Sequence, residues 1–184
     1  YNTMPFYQIQ GKIPNKRHIQ FRDPNGNLYY EELISRKGFS SLYSNVYHIN
    51  PPTTIKKVGQ FKKIKRKPLQ HTHRHHHIKS FDLQSNGDAI NARLSLFYND
   101  DVELSIAKID KSMNTFYRNG HNDEIIFIQS GSGKFYSNFG KLDLIKGDYI
   151  IIPRGVIWKM EADEKMNQFI IETNGQVETP VNYR

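Results

Sequence analysis

The sequence predicts an all-β fold, an antiparallel sandwich or barrel behind an irregular N-terminal arm, and three observations carry that expectation. From residue 92 onward, apolar and β-branched runs recur between Gly, Asn and Asp turn residues. No long segment carries apolar residues at helical spacing. Two of the runs are flanked by glycine turns at definite spacings. Short strands separated by turns, without helices to cross over them, pair antiparallel.

Taken in order, residues 1–55 show no sustained period of 2 or 3.6 but many turn signals, such as Asp23-Pro24-Asn25-Gly26, and read as an arm with short elements. Within it, residues 29–34 suit a brief strand or a helical turn. Residues 56–80 form a basic and then His-rich connection. Lys56, Lys57, Lys62, Lys63, Lys65, Arg66 and Lys67 fall there within twelve positions, with only Val58, Phe61, Ile64, Leu69 and Ile78 to bury. Residues 81–176 are the barrel, with strands expected at 92–98, 102–109, 124–129, 134–137, 149–152, 156–160 and 167–172. Residues 177–184, with Pro180, suit the start of an extended linker.

A chain of 184 residues holds one domain with a sizeable core plus ordered arms. Eleven Tyr and eleven Phe beside 24% charged residues mark a globular composition rather than a disordered one. Zero cysteines exclude disulfides and thiolate ligands, so any metal falls to His and carboxylates. No stretch approaches the roughly 20 apolar residues of a membrane-spanning helix, and no basic-then-apolar signal opens the chain; a cytoplasmic protein without membrane contact is expected. The net charge of +8 is concentrated in the connection.

The two glycine-flanked runs resemble the paired motifs of the cupin superfamily, which implies a jelly-roll barrel. The first is Glu124, six residues, then Gly131; the second is Gly147-Asp148, an apolar run, Pro153 and Gly155. Metal-binding members present two His just before the Glu and a third His after the second motif. Here those positions fall on Tyr117 or Arg118, on Asn119 or Gly120, and on Trp158. None of these ligates a metal; an indole nitrogen only donates. Glu124 with His121, three residues before it and out of register, makes at most a weak two-ligand site, and a structural hydrogen-bonding role for Glu124 is the expectation.

Met4-Pro5-Phe6-Tyr7 and Gly11 to His18 resemble the opening of homogentisate 1,2-dioxygenases, as do Leu28 to Leu33, Gly38-Phe39-Ser40, Tyr47-His48 to Thr53, and Ile171-Glu172-Thr173. The resemblance covers nearly the whole chain. It implies the N-terminal half of an enzyme of two cupin-like barrels that cleaves homogentisate with Fe(II) and O2 in tyrosine and phenylalanine catabolism. It also implies that iron ligands and catalytic residues lie in a C-terminal barrel beyond Arg184. For this half it implies scaffolding, against its own C-terminal barrel and against neighbouring subunits of a trimer or hexamer. No catalytic residue is carried over, no cofactor is expected in this chain, and the chain alone is expected to be inactive.

Other readings attach to particular segments. On a strand, His71, His73, His75 and His77 would share one face and hold Zn or Ni adventitiously; a solvated basic stretch is the plainer reading. Clustered Lys and Arg neutralise phosphates, but only Phe61 interleaves with them, so no nucleic-acid partner is expected. A stand-alone, metal-free cupin would bind a small ligand in a pocket lined by Tyr117, Trp158 and Phe127.

Overall fold

The computed structural model describes residues 20–35, 37–40, 43–61, 72–180 and 182. Within them the chain forms eleven strands: β1 (Tyr30–Ser35), β2 (Tyr43–His48), β3 (Arg93–Tyr98), β4 (Val102–Ile109), β5 (Tyr117–Arg118), β6 (Asp123–Ser130), β7 (Gly133–Ser137), β8 (Gly140–Leu144), β9 (Tyr149–Ile152), β10 (Ile157–Ala162) and β11 (Met166–Thr173). Single 3-10 turns stand at Gly38–Ser40 and Ser80–Asp82. No helix among the described residues is long and apolar enough to cross a membrane.

All seven expected strands are present, with boundaries moved by a residue or two. Three elements were not anticipated. β8 carries only two apolar side chains, Leu142 and Leu144, alternating with Lys141 and Asp143, β5 is two residues long, and β2 is Tyr43-Ser-Asn-Val-Tyr-His, too polar to announce a strand. β2 is one of the short elements of the arm. β1 and β2 pair antiparallel from Tyr30↔His48 to Ser35↔Tyr43, which resolves the choice at residues 29–34 in favour of a strand. Glu32 ties this hairpin to the barrel, since its carboxylate accepts from Arg118 at 3.0 Å and lies 2.8 Å from the His48 ring.

Two antiparallel sheets make the barrel, one of five strands in the order β3-β4-β11-β6-β9 and one of four in the order β5-β10-β7-β8. Alternation along each strand sends one set of side chains between the sheets. Ile126 and Ile128 of β6, Ile150 and Ile152 of β9, Met166 and Ile170 of β11, and Ala107 and Ile109 of β4 meet Phe135, Leu144, Trp158 and Met160 from the other sheet. This is the jelly-roll barrel that the paired motifs implied. Gly131 turns the chain from β6 toward β7 at φ 84°, and its Cα packs so closely on the β10–β11 turn that a Cβ there would stand 2.3 Å from the Lys165 carbonyl oxygen. The first motif requires glycine for that reason.

The outer faces of the two sheets differ. On the four-stranded sheet, Lys159↔Tyr136↔Lys141 and Glu161↔Lys134↔Asp143 form two polar rows across the strands. Lys159–Glu161 and Lys141–Asp143 are ion-paired within them. On the five-stranded sheet the corresponding rows are Phe97↔Leu104↔Ile171↔Ile125↔Ile151 and Leu94↔Ile106↔Phe169↔Phe127↔Tyr149, without a charge.

Candidate functional site

Glu124, the acidic residue of the first motif, opens β6 on the inward parity of Ile126 and Ile128 and is fully buried. Its neighbour across the ladder is Glu172 of β11, which shares the inward parity of Met166, Gln168 and Ile170. Two carboxylates directly opposite each other on one face repel. Arg93, the first residue of β3, lies between them, with Nη1 donating to Glu124 Oε1 at 2.7 Å and to Glu172 Oε1 at 2.6 Å. Its Nε donates to the Ala89 carbonyl at 3.0 Å, which fixes the plane of the guanidinium.

Asn119 closes the cluster. Its Nδ2 donates to Glu124 Oε1 and to Glu172 Oε2, each at 3.2 Å, while its Oδ1 accepts from the backbone of His121 and Asn122. The guanidinium carbon lies 5.9 Å from the Tyr117 ring centroid and 6.0 Å from that of Trp158, within cation–π range. Trp158 is itself clamped, with Phe135 stacked on it and Tyr117 edge-on, both at 5.5 Å.

The electrostatics follow from this geometry. Burial alone would lower the affinity of Arg93 for its proton, but the Glu124 and Glu172 carboxylates outweigh burial and raise it above the ordinary arginine value. Burial pushes the Tyr117 hydroxyl up to about 12, with Glu124 reinforcing the shift and Arg93 opposing it. A second buried acid, Asp123, accepts from the Arg154 side chain and backbone at 3.0 Å each and from the Val177 backbone at 3.0 Å, pinning the segment after β11 to the barrel.

A family model described as homogentisate 1,2-dioxygenase N-terminal matches residues 34–180. The chain belongs to that family. A Saccharolobus solfataricus protein provisionally named a dioxygenase is 38% identical over 183 residues, which are 98% of this chain and 47% of the relative. This chain therefore spans about half the length of that curated relative. Among solved structures, a cupin-2 domain protein from Shewanella frigidimarina is 21% identical with a TM-score of 0.40, covering 44% of this chain and 78% of its own. A cupin protein from Bacteroides fragilis is 22% identical with a TM-score of 0.40, covering 55% and 93%.

Iron of the homogentisate dioxygenase kind does not fit the residues of this N-terminal domain. The carboxylate at the motif's ligand position already accepts from a guanidinium and an amide, and the positions around it are Tyr117, Asn119 and Trp158. The cation facing Glu124 is a side chain of the protein. Among the described residues no three His, Asp or Glu side chains group as a metal site.

The other residues singled out in the sequence are scattered. His121 sits in the exposed turn before β6 while Glu124 faces the interior, so the two-ligand arrangement considered for them is not formed. His73 and His75 are exposed in a stretch, 72–79, that is not a strand, so the shared face required of them does not arise; His71 and Lys62 to Lys67 lie outside the described residues. Phe127 does not line the barrel, since it faces outward and stacks on Tyr149 at 4.5 Å; only Tyr117 and Trp158 of the proposed pocket point inward. Sequence reasoning missed Arg93 as the partner of Glu124. The available signal was a charge on the inward parity of an apolar strand, as with Glu172 after Phe169-Ile-Ile.

Proposed function

We propose that this chain is the scaffold half of a dioxygenase that opens the ring of homogentisate with Fe(II) and O2, in the cytoplasmic breakdown of tyrosine and phenylalanine. The iron and the catalytic groups belong to a second barrel of the complete polypeptide. This half supports that barrel and neighbouring subunits, as a trimer or hexamer. Beside the family, the observation that carries the reading is Arg93, whose guanidinium holds the position facing Glu124 where a catalytic barrel needs an open metal.

The test is iron content and oxygen consumption with homogentisate, measured on this chain and on the complete natural polypeptide. The chain alone should hold no stoichiometric iron and consume no oxygen, and the complete polypeptide should do both. Near one equivalent of iron in this chain, lost in Glu124→Gln, would overturn the proposal.

A second reading, a metal-free barrel that binds a small polar molecule, draws on one observation. Arg93 Nη2, Glu124 Oε2 and Trp158 Nε1 are buried without a partner among the described residues. A source gene with no second barrel would favour it.

A further inference from the structure

We infer that the outer face of the five-stranded sheet is the surface on which the second barrel docks. This rests on the two-barrel reading above and adds to it a specific surface.

The two sheets turn contrasting faces outward. A sheet face that meets water carries polar side chains at alternate positions, and the four-stranded sheet does so with Lys134, Lys141, Asp143, Lys159 and Glu161. The five-stranded sheet has the same alternation and no charge in two consecutive rows. Its exposure is concentrated toward the β9 side, where Tyr149 is 68% and Ile151 52% exposed, because the chain itself covers the β3–β4 side: Ile106 is 3% exposed, Phe81 accepts from Lys108 through its carbonyl, and the His76 ring lies against Phe97. The patch ends at polar residues, Lys108 and Asn167 on one side and Thr173 on the other. A contiguous apolar patch with a polar rim marks a contact surface.

Its size selects the occupant. The open part lies over β11, β6 and β9, and three strands spaced about 4.8 Å apart with two rows of side chains make roughly 14 Å by 14 Å, on the order of 200 Å². Counting both partners, it buries roughly 400 Å², too little to hold a free partner by itself. Separate chains that associate specifically bury about 1,200–2,000 Å². A tethered domain needs less area because its effective concentration is high. The Saccharolobus solfataricus relative carries about as much polypeptide again as the part this chain matches, enough for such a domain.

The chain contains no cysteine, so single thiols report on the face. Tyr149→Cys and Ile151→Cys probe it, and Asp143→Cys, at a site 76% exposed on the other sheet, is the control. Maleimide labelling of these peptides is followed by mass spectrometry, in the complete natural polypeptide and in the 184-residue chain. The expected result is at least tenfold slower labelling at 149 and 151 than at 143 in the complete polypeptide, and similar rates at all three in the shorter chain. Similar rates in a complete polypeptide that does contain a second barrel would overturn the docking surface and leave the two-barrel reading standing. Slow labelling already in the 184-residue chain would overturn it in favour of cover by a second copy, if sedimentation shows doubled mass, or by the chain itself. A gene without a further barrel would remove the two-barrel reading and this inference together.

Discussion

Glu124 and Glu172 stand directly opposite each other on neighbouring antiparallel strands inside the barrel, and they are held there by one nitrogen of Arg93. Removing one member of a buried ion cluster costs more than never having had it, because the remaining charges are left uncompensated. Arg93→Met should therefore destabilise the domain by about 3–5 kcal/mol. Adding Glu124→Gln and Glu172→Gln should recover at least half of that loss, since the repulsion disappears with the charges. Urea unfolding followed by the fluorescence of Trp158, the single tryptophan, reads both variants. A loss below 1 kcal/mol in Arg93→Met would show that the cluster does not hold the strands.

Tyr117 titrates late. Burial, the largest cause, and the Glu124 charge raise its hydroxyl to about 12, while an unfolded tyrosine ionises near 10. The folded state thus keeps a proton that the unfolded state has lost, and the contribution of Tyr117 to stability is complete below about pH 10 and falls as pH rises toward 12. Unfolding free energies measured across that window should fall less steeply in Tyr117→Phe than in the parent. Absorbance titration near 295 nm should show one late phenolate that the variant lacks; an unchanged titration curve would contradict the assignment.

Two glycines with the same backbone conformation should respond differently to alanine. Gly131 and Gly155 have φ of 84° and 86°, but a Cβ at Gly155 meets nothing within 4 Å, whereas one at Gly131 collides with the Lys165 carbonyl and Met166. Gly155→Ala should cost only the left-handed strain, about 1–2 kcal/mol. Gly131→Ala should cost clearly more, because the β10–β11 turn must move away from β6. Thermal melts of the two variants side by side decide the order, and equal losses would mean that the turn yields freely.

The strands that the sequence revealed are those in which β-branched runs meet turn residues, as in Glu124-Ile-Ile-Phe-Ile-Gln before Ser-Gly. β8 escaped because its outward positions are Lys141 and Asp143 and only Leu142 and Leu144 face in, too short an apolar signal to register. At the site, the spacing of the first motif was enough to locate Glu124 and to show that metal ligands are lacking around it. The partner that replaces them was not legible. Arg93 lies 31 residues from Glu124 and 79 from Glu172 along the chain, and only the order of strands in the sheet brings the three together. His121, three residues from Glu124, drew attention by proximity, yet it belongs to the turn that precedes the strand.

β11 is the last strand of the barrel to leave the ribosome and the central strand of its sheet, paired with β4 on one side and β6 on the other. Until Thr173 has emerged, β3–β4 and β6–β9 have exposed edges and no strand of their own sheet to pair them. Assembly of this domain is thus governed by contacts far apart in sequence, which makes it slow and leaves the nascent chain exposed to misassociation. The same strand brings Glu172, so the ion cluster and the sheet are completed by the same late event.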